Sequence, residues 1–182
     1  MPYRVESVPF ESRGAEHYRC QPFGQVPWIT DGDLTVFESG AALLHVAERS
    51  EQLLPRDRRA RADVAQWVFA ALNSVEAASL PWFVLKFAGD GEETAERKAI
   101  ASFLTSRLTH MEDVLSGRDW LTPRFSAADI AMADVLRLID RFDGLASYPA
   151  CKAYVTRAVE RPAFRTAYED QMAHFARGGE GG

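Results

Sequence analysis

At 182 residues the chain is long enough to bury a real core, as one domain or as two small ones. Hydrophobic residues make up 47% and charged residues 26%, ordinary globular usage that excludes disorder as the default. A net charge of -5 with no long basic stripe argues against nucleic acid as a partner. Arg56 to Arg61 is the densest basic run, and Asp57 dilutes it into a solvated helix start. No apolar run approaches membrane-spanning length, and Met1 to Val5 lacks the apolar region of a signal peptide. Cys20 and Cys151 stand far apart, without a metal or C-x-x-C spacing, which suits a reduced compartment. These features predict a soluble, cytoplasmic protein with no metal and no membrane partner.

In chain order, Pro2 to Phe10 alternates imperfectly (Tyr3, Val5, Val8, Phe10) and predicts a strand. Ser12 to Arg19 is polar and mixed, a short helix or a loop. Val26-Pro27 opens a short apolar run: the residue before a proline is held extended, and an X-Pro bond is where a cis peptide is cheap. Asp31-Gly32 then separates Trp28-Ile29-Thr30 from Leu34-Thr35-Val36-Phe37, the strongest short hairpin signal available. Ala41 to Arg49 predicts a helix with Ser39 near its N-cap and Arg49 in its last turn. Ser50 to Pro55 reads as a linker.

From there the periodicity is helical. Val64, Trp67, Val68, Ala71, Leu72 and Val75 form one apolar face; Pro81 kinks or ends that helix, and Trp82 to Phe87 continue it after a bend. Gly89 to Gly91 is a loop, and Ile100, Phe103, Leu104, Leu108, Met111 and Leu115 define the next helix, closed by Gly117. Ser126 and Asp129 read as a capping box, with Phe125 and Ile130 placed as a hydrophobic staple. The helix they open carries Ile130, Val135, Leu138, Ile139 and Phe142 inward. Cys151, Tyr154, Val155, Ala158 and Val159 belong to a helix started at Pro149; Phe164, Tyr168 and Phe175 follow Pro162, before a glycine-rich tail. The pattern is a small α/β unit followed by a bundle of helices.

The stretch from Pro22 to Gly40 carries the chemistry. A helix N-terminus at Ser39 offers unpaired N–H groups to a carboxylate, and Glu38 just before it can hold an ammonium. Extended Val26 offers N–H and C=O groups to a peptide laid antiparallel. An α-amino acid head at one end and a peptide backbone at the other describe a γ-glutamyl peptide. With its V-P, its hairpin and its E-S helix start, this stretch resembles the glutathione-binding half of the cytosolic glutathione S-transferases. The S-x-x-D box at Ser126 is similar to the one that opens a central helix in that family.

The resemblance covers Tyr3 to Phe175. It implies an α/β plus all-α fold: a thioredoxin-like domain over 1–50, an all-helical C-terminal domain over 56–176, and a flexible tail at 177–182. It implies glutathione as co-substrate, conjugated to a small hydrophobic electrophile or used to reduce one, and a homodimer. Gln25, Val26, Pro27, Glu38 and Ser39 are the glutathione contacts it marks. Trp67, Phe69, Asn73 and Trp82 are candidates for an apolar electrophile pocket, although core packing explains Trp67 equally well. His17 and Arg13 precede the V-P segment, where the family often keeps a basic group for a ligand carboxylate; a solvated loop is the reading adopted for them.

The departure is at the front. The family begins with a strand and helix whose turn carries the Tyr, Ser or Cys that activates the thiol. Here the domain is expected to be N-terminally truncated, because Met1 falls almost on the second strand and a βαβ unit takes about 30 residues. No catalytic residue is therefore assigned. Three explanations stand: a start upstream of Met1, a trimmed homologue acting as a non-catalytic binding or interaction module, or a second chain supplying the missing part.

Overall fold

The computed structural model describes residues 3–8, 13–89 and 91–178. The order is α1 (Ala15–Cys20), β1 (Trp28–Asp31), β2 (Leu34–Phe37), α2 (Ser39–Ala47), α3 (Arg58–Ala70), α4 (Ala77–Phe87), α5 (Ala95–Leu115), α6 (Ala127–Asp140), α7 (Pro149–Val159) and α8 (Pro162–Gly178). A π-helical stretch, Ala71–Glu76, joins α3 to α4. The expected class holds: a small antiparallel sheet with short helices, then a helical bundle. Residues up to Ala42 group with those from Glu160 in one compact unit, and Leu43–Val159 form another.

In the first unit, residues 3–8 are irregular, not the strand their alternation predicts. An alternating pattern makes a strand only beside a partner edge, and the sheet among the described residues has two strands, β1 and β2. These residues reach α8 instead: the Tyr3 hydroxyl donates to Asp170 Oδ2 at 3.3 Å, and Ser7 Oγ lies 2.8 Å from His174 Nε2. Phe10, Ser12, Asp90 and the glycine tail after Gly178 lie outside the described residues.

The hairpin forms as predicted, with its turn one residue later. Asp31 pairs with Leu34, so Gly32-Asp33 make the turn, and Gly32 takes φ 67°. Positive φ at the first central residue alone is the type II′ pattern, whose twist matches that of the strands and which glycine adopts without a Cβ penalty.

In the second unit, Val64, Val68, Ala71, Val75 and Ala78 are buried along the joined helix, and Leu104, Leu108, Met111 and Leu115 along α5. The helix does not end at Pro81, which sits exposed inside α4. The π stretch stops just before Ala77, whose carbonyl Pro81 has no N–H to meet; prolines and π turns are where long helices bend. The join also corrects the expectation about apolar length. Arg58–Phe87 is a 30-residue helix with an 18-residue window of mean hydropathy 1.4, long and apolar enough by composition to cross a membrane. One face of it is the core of its unit, while Leu80, Val84 and Phe87 on α4 are 60%, 61% and 78% exposed.

Helix α6 packs against α3 and α7 at the centre of this unit. Ala128, Met132, Val135, Leu136 and Ile139 are buried, whereas Ile130, expected inward, is exposed. Phe125 packs edge-on against Trp120, 4.9 Å between ring centroids. The run of small alanines lets α6 bury more than one stripe, so Ile130 is not needed in the core. Asp134 is exposed and pairs with Arg137 at 2.6 Å.

The capping box is present, and Asp129 does more than cap. Fully buried, it accepts from Ser126 N–H (2.9 Å), from Leu121 N–H (2.9 Å) and from the Tyr154 hydroxyl (2.8 Å). Burial and then the Asp129 carboxylate push the Tyr154 phenol upward, so it stays a donor. Glu112 of α5 accepts from Ala150 N–H (2.8 Å) and Cys151 N–H (3.0 Å), satisfying two open donors at the start of α7.

After α6 the chain turns through Asp143 (φ 57°), and Gly144 N–H donates to Ile139 O at 3.1 Å. A Cβ on Gly144 would meet Ile139 Cγ2 at 2.5 Å and Ile139 O at 3.0 Å. Gly144→Ala is therefore expected to destabilise the helical unit by about 1–3 kcal/mol, by overpacking. A denaturant midpoint unchanged from the parent would show that the turn relaxes freely.

Candidate functional site

The hairpin ladder positions the candidate site. Trp28↔Phe37 is its last pair, so Val26-Pro27 before Trp28 and Glu38-Ser39 after Phe37 leave the sheet at the same end. Facing backbones in an antiparallel pair stand about 5 Å apart. The Val26-Pro27 bond is cis. Gln25, Val26, Pro27, Glu38 and Ser39, the five residues marked from the sequence, are all exposed and flank the same end of the hairpin. Phe23 packs edge-on against Phe37 beside them, with centroids 6.4 Å apart.

Glu38 is unusual. It takes φ 68°, a left-handed conformation that a residue with a Cβ adopts at a cost of about 1–2 kcal/mol. Such outliers persist where the surroundings impose them and cluster at ligand sites. Its carbonyl accepts from Ala42 N–H at 2.9 Å, so α2 begins at Ser39, inside the predicted cap position, and ends at Ala47 before Arg49. The leading N–H groups of α2 have no carbonyl one turn back within the helix, and they add the positive end of the helix dipole to this face.

Behind the exposed face, three side chains hold the chain that enters it. His17 of α1 is 7% exposed, which corrects the solvated-loop reading. Its Nε2 lies 2.9 Å from Gln25 O, and its ring packs edge-on against Trp28 with centroids 4.7 Å apart. Arg13 donates to Gly24 O, and buried Gln21 accepts from Phe23 N–H at 2.7 Å. Gly24 takes φ 67°, and a Cβ there would meet Tyr18 Cε1 at 2.8 Å, so glycine is required. The sequence signal that was missed is the spacing: a histidine eight residues before Gln25, on a short helix that turns straight into it.

The four electrophile-pocket candidates belong to Leu43–Val159 and are not brought onto one face. Trp67 packs partly buried against the core and Phe69 is 57% exposed, as expected two residues apart on a helix, where side chains diverge by about 200°. Asn73 is exposed in the π stretch, and Trp82 packs against Phe83 and Phe142, with centroids 5.5 and 6.1 Å away. Burial, and then Glu112, push the Cys151 thiol up to about 12, which leaves it inert as a nucleophile at neutral pH. Among the described residues no group of three or more His, Cys, Asp or Glu could hold a metal ion.

The small antiparallel hairpin followed by a helical bundle is an arrangement that known families and solved structures share. The glutathione S-transferase N-terminal domain family matches residues 2–48, and the C-terminal domain family matches residues 78–170. The chain belongs to the glutathione S-transferase family. It is similar to a glutathione transferase from Burkholderia graminis solved with two glutathione molecules per subunit, at TM-score 0.79 and 27% identity over 91% of this chain and 77% of that one. Glutathione S-transferase F11 of Arabidopsis thaliana is 40% identical over 81 residues, 42% of this chain and 38% of its own. The disulfide-bond oxidoreductase YfcG of Escherichia coli is 28% identical over 188 aligned positions, 88% of this chain and 80% of its own. The matches to the first plant relatives span about a third of those proteins' length.

Proposed function

We propose that the chain binds glutathione on the exposed end of the hairpin and presents its thiol to a small hydrophobic electrophile. Val26 holds the cysteinyl backbone, Gln25 lies beside it, and Pro27 shapes the turn. Glu38 takes the ammonium and the α2 start at Ser39 the carboxylate of the γ-glutamyl head. The observation that carries this reading is the ladder register, which puts an exposed valine and a left-handed glutamate at one end of one hairpin. In this reading residues 1–50 serve as the glutathione-binding domain and 56–176 as the helical domain that takes the electrophile; Trp67, Phe69, Asn73 and Trp82 do not share one face and so do not line one pocket together.

The chain's contribution is binding and orientation, which convert a bimolecular encounter into a positioned one. In conjugation, the glutathione sulfur forms a bond to the electrophilic carbon, the leaving group departs with its electron pair, and the thiol proton goes to solvent. In reduction, two glutathione molecules become glutathione disulfide while a disulfide substrate gains two electrons and two protons. Exposed Leu80, Val84 and Phe87 supply an apolar stripe suited to a second copy of the chain in a homodimer. Two free cysteines suit the reducing cytoplasm.

The test is a rate assay with an activated aryl chloride and with a small dialkyl disulfide. The rate is expected to saturate in glutathione, with KM within about 1 μM–1 mM, the usual range for enzymes. A rate that stays linear in glutathione for both substrates contradicts the reading.

A further inference from the structure

We propose that His17 is a positioning residue that aims the Val26 amide at its ligand. This rests on the glutathione reading above for what the ligand is, but not for how the amide is aimed. A carbonyl oxygen only accepts, so the His17 Nε2 that lies 2.9 Å from Gln25 O carries the proton and donates it. The Gln25–Val26 peptide is trans, since the cis bond of this turn is Val26-Pro27. In a trans peptide the C=O and the N–H point to opposite sides. Holding the Gln25 carbonyl inward on a buried histidine therefore turns the Val26 N–H outward, on the exposed face where a peptide carbonyl is received.

The clamp is built to keep that orientation. His17 is fixed by its edge contact with Trp28, the first residue of β1. Arg13 Nη1 stands 3.2 Å from His17 Nε2 and donates to the neighbouring carbonyl, Gly24 O. Two adjacent carbonyls are thus held from the same side.

Two substitutions separate the donor from the ring. His17→Phe keeps an aromatic edge for Trp28 and loses the N–H; His17→Gln keeps an N–H donor. In the ligand-free chain, the Val26 amide is expected to shift its resonance and lose order in His17→Phe, and to stay close to the parent in His17→Gln. Glutathione Kd and KM should rise about 10-fold in His17→Phe with kcat unchanged, the loss of one well-aimed hydrogen bond, and return to within about twofold in His17→Gln.

A Val26 amide that is unchanged in a folded His17→Phe chain, or equally disturbed in both variants, overturns the proposal. If His17→Phe does not fold, the parent decides: nitrogen NMR of His17 must show Nε2 protonated, and a ring protonated only at Nδ1 overturns it. If the parent binds no glutathione while the amide responds as stated, the functional reading falls and the positioning by His17 stands.

Discussion

Asp129→Ala is expected to destabilise the helical unit by about 4 kcal/mol, among the largest effects a single side chain can have. The carboxylate is fully buried and collects Ser126 N–H, Leu121 N–H and the Tyr154 hydroxyl. With the Ser126 hydroxyl, which also donates to Asp129 Oδ2 at 3.3 Å, truncation leaves four buried donors unmet, each costing about 1–3 kcal/mol before water and relaxation recover part of it. Tyr154→Phe removes one donor and leaves the carboxylate its other partners, so it should cost only about 1 kcal/mol. Asp129→Asn should fall between, because an amide keeps one acceptor oxygen and turns an NH2 toward donors. Thermal unfolding reads the series: at about 2–4 °C per kcal/mol for a chain of this size, Asp129→Ala should lower Tm by roughly 8–16 °C. A loss under about 1 kcal/mol would mean that water replaces the carboxylate, and that the network is not what fixes α6 to α7.

This network also marks the limit of what the chain shows without coordinates. The Ser126–Asp129 box is legible because its members are three residues apart and their partner is the backbone between them. Tyr154 lies 25 residues on and enters only once α7 has docked on α6. The same division runs through the first unit. Val26-Pro27, the Asp-Gly turn and the Glu38-Ser39 helix start are local signals, and all three end up at the expected place within a residue or two. The Tyr3–Phe10 alternation is local too, but a strand needs an edge to join, and the described residues 3–8 contact α8 instead. The π stretch at Ala71–Glu76 has no sequence signature beyond a proline that the helix must tolerate, so the sequence places the irregularity at Pro81, where the helix is read as kinked or ended, and not at Ala71–Glu76. His17 looks like any polar loop residue until α1 folds and buries it.

Glu38→Gly is expected to weaken glutathione binding by about 10- to 100-fold while leaving the fold at least as stable. The affinity loss is that of one charge-assisted hydrogen bond to the ligand ammonium, about 1.5–3 kcal/mol. The stability change has two parts of opposite sign. Glycine removes the penalty of φ 68°, and its freer unfolded chain gives back about 0.4–1 kcal/mol. The net is expected between no change and a gain of about 1 kcal/mol. Glu38→Ala keeps a Cβ at the same φ and should lose the affinity without the gain. Calorimetric titration beside denaturant unfolding separates the two quantities. A Glu38→Gly chain that binds as well as the parent would remove Glu38 from the ligand site, and a clear loss of stability would mean that its side chain serves the fold.

The most direct single measurement is a glutathione titration followed by amide NMR of the nitrogen-labelled chain. The expected result is saturable shifts confined to Val26, Glu38, Ser39, Gly40 and Ala41, the two sides of the hairpin end, with the Val26 amide moving most. Saturable shifts elsewhere, with these amides unmoved, or no saturable shift in a folded chain, would contradict a glutathione site at the end of the β1–β2 hairpin.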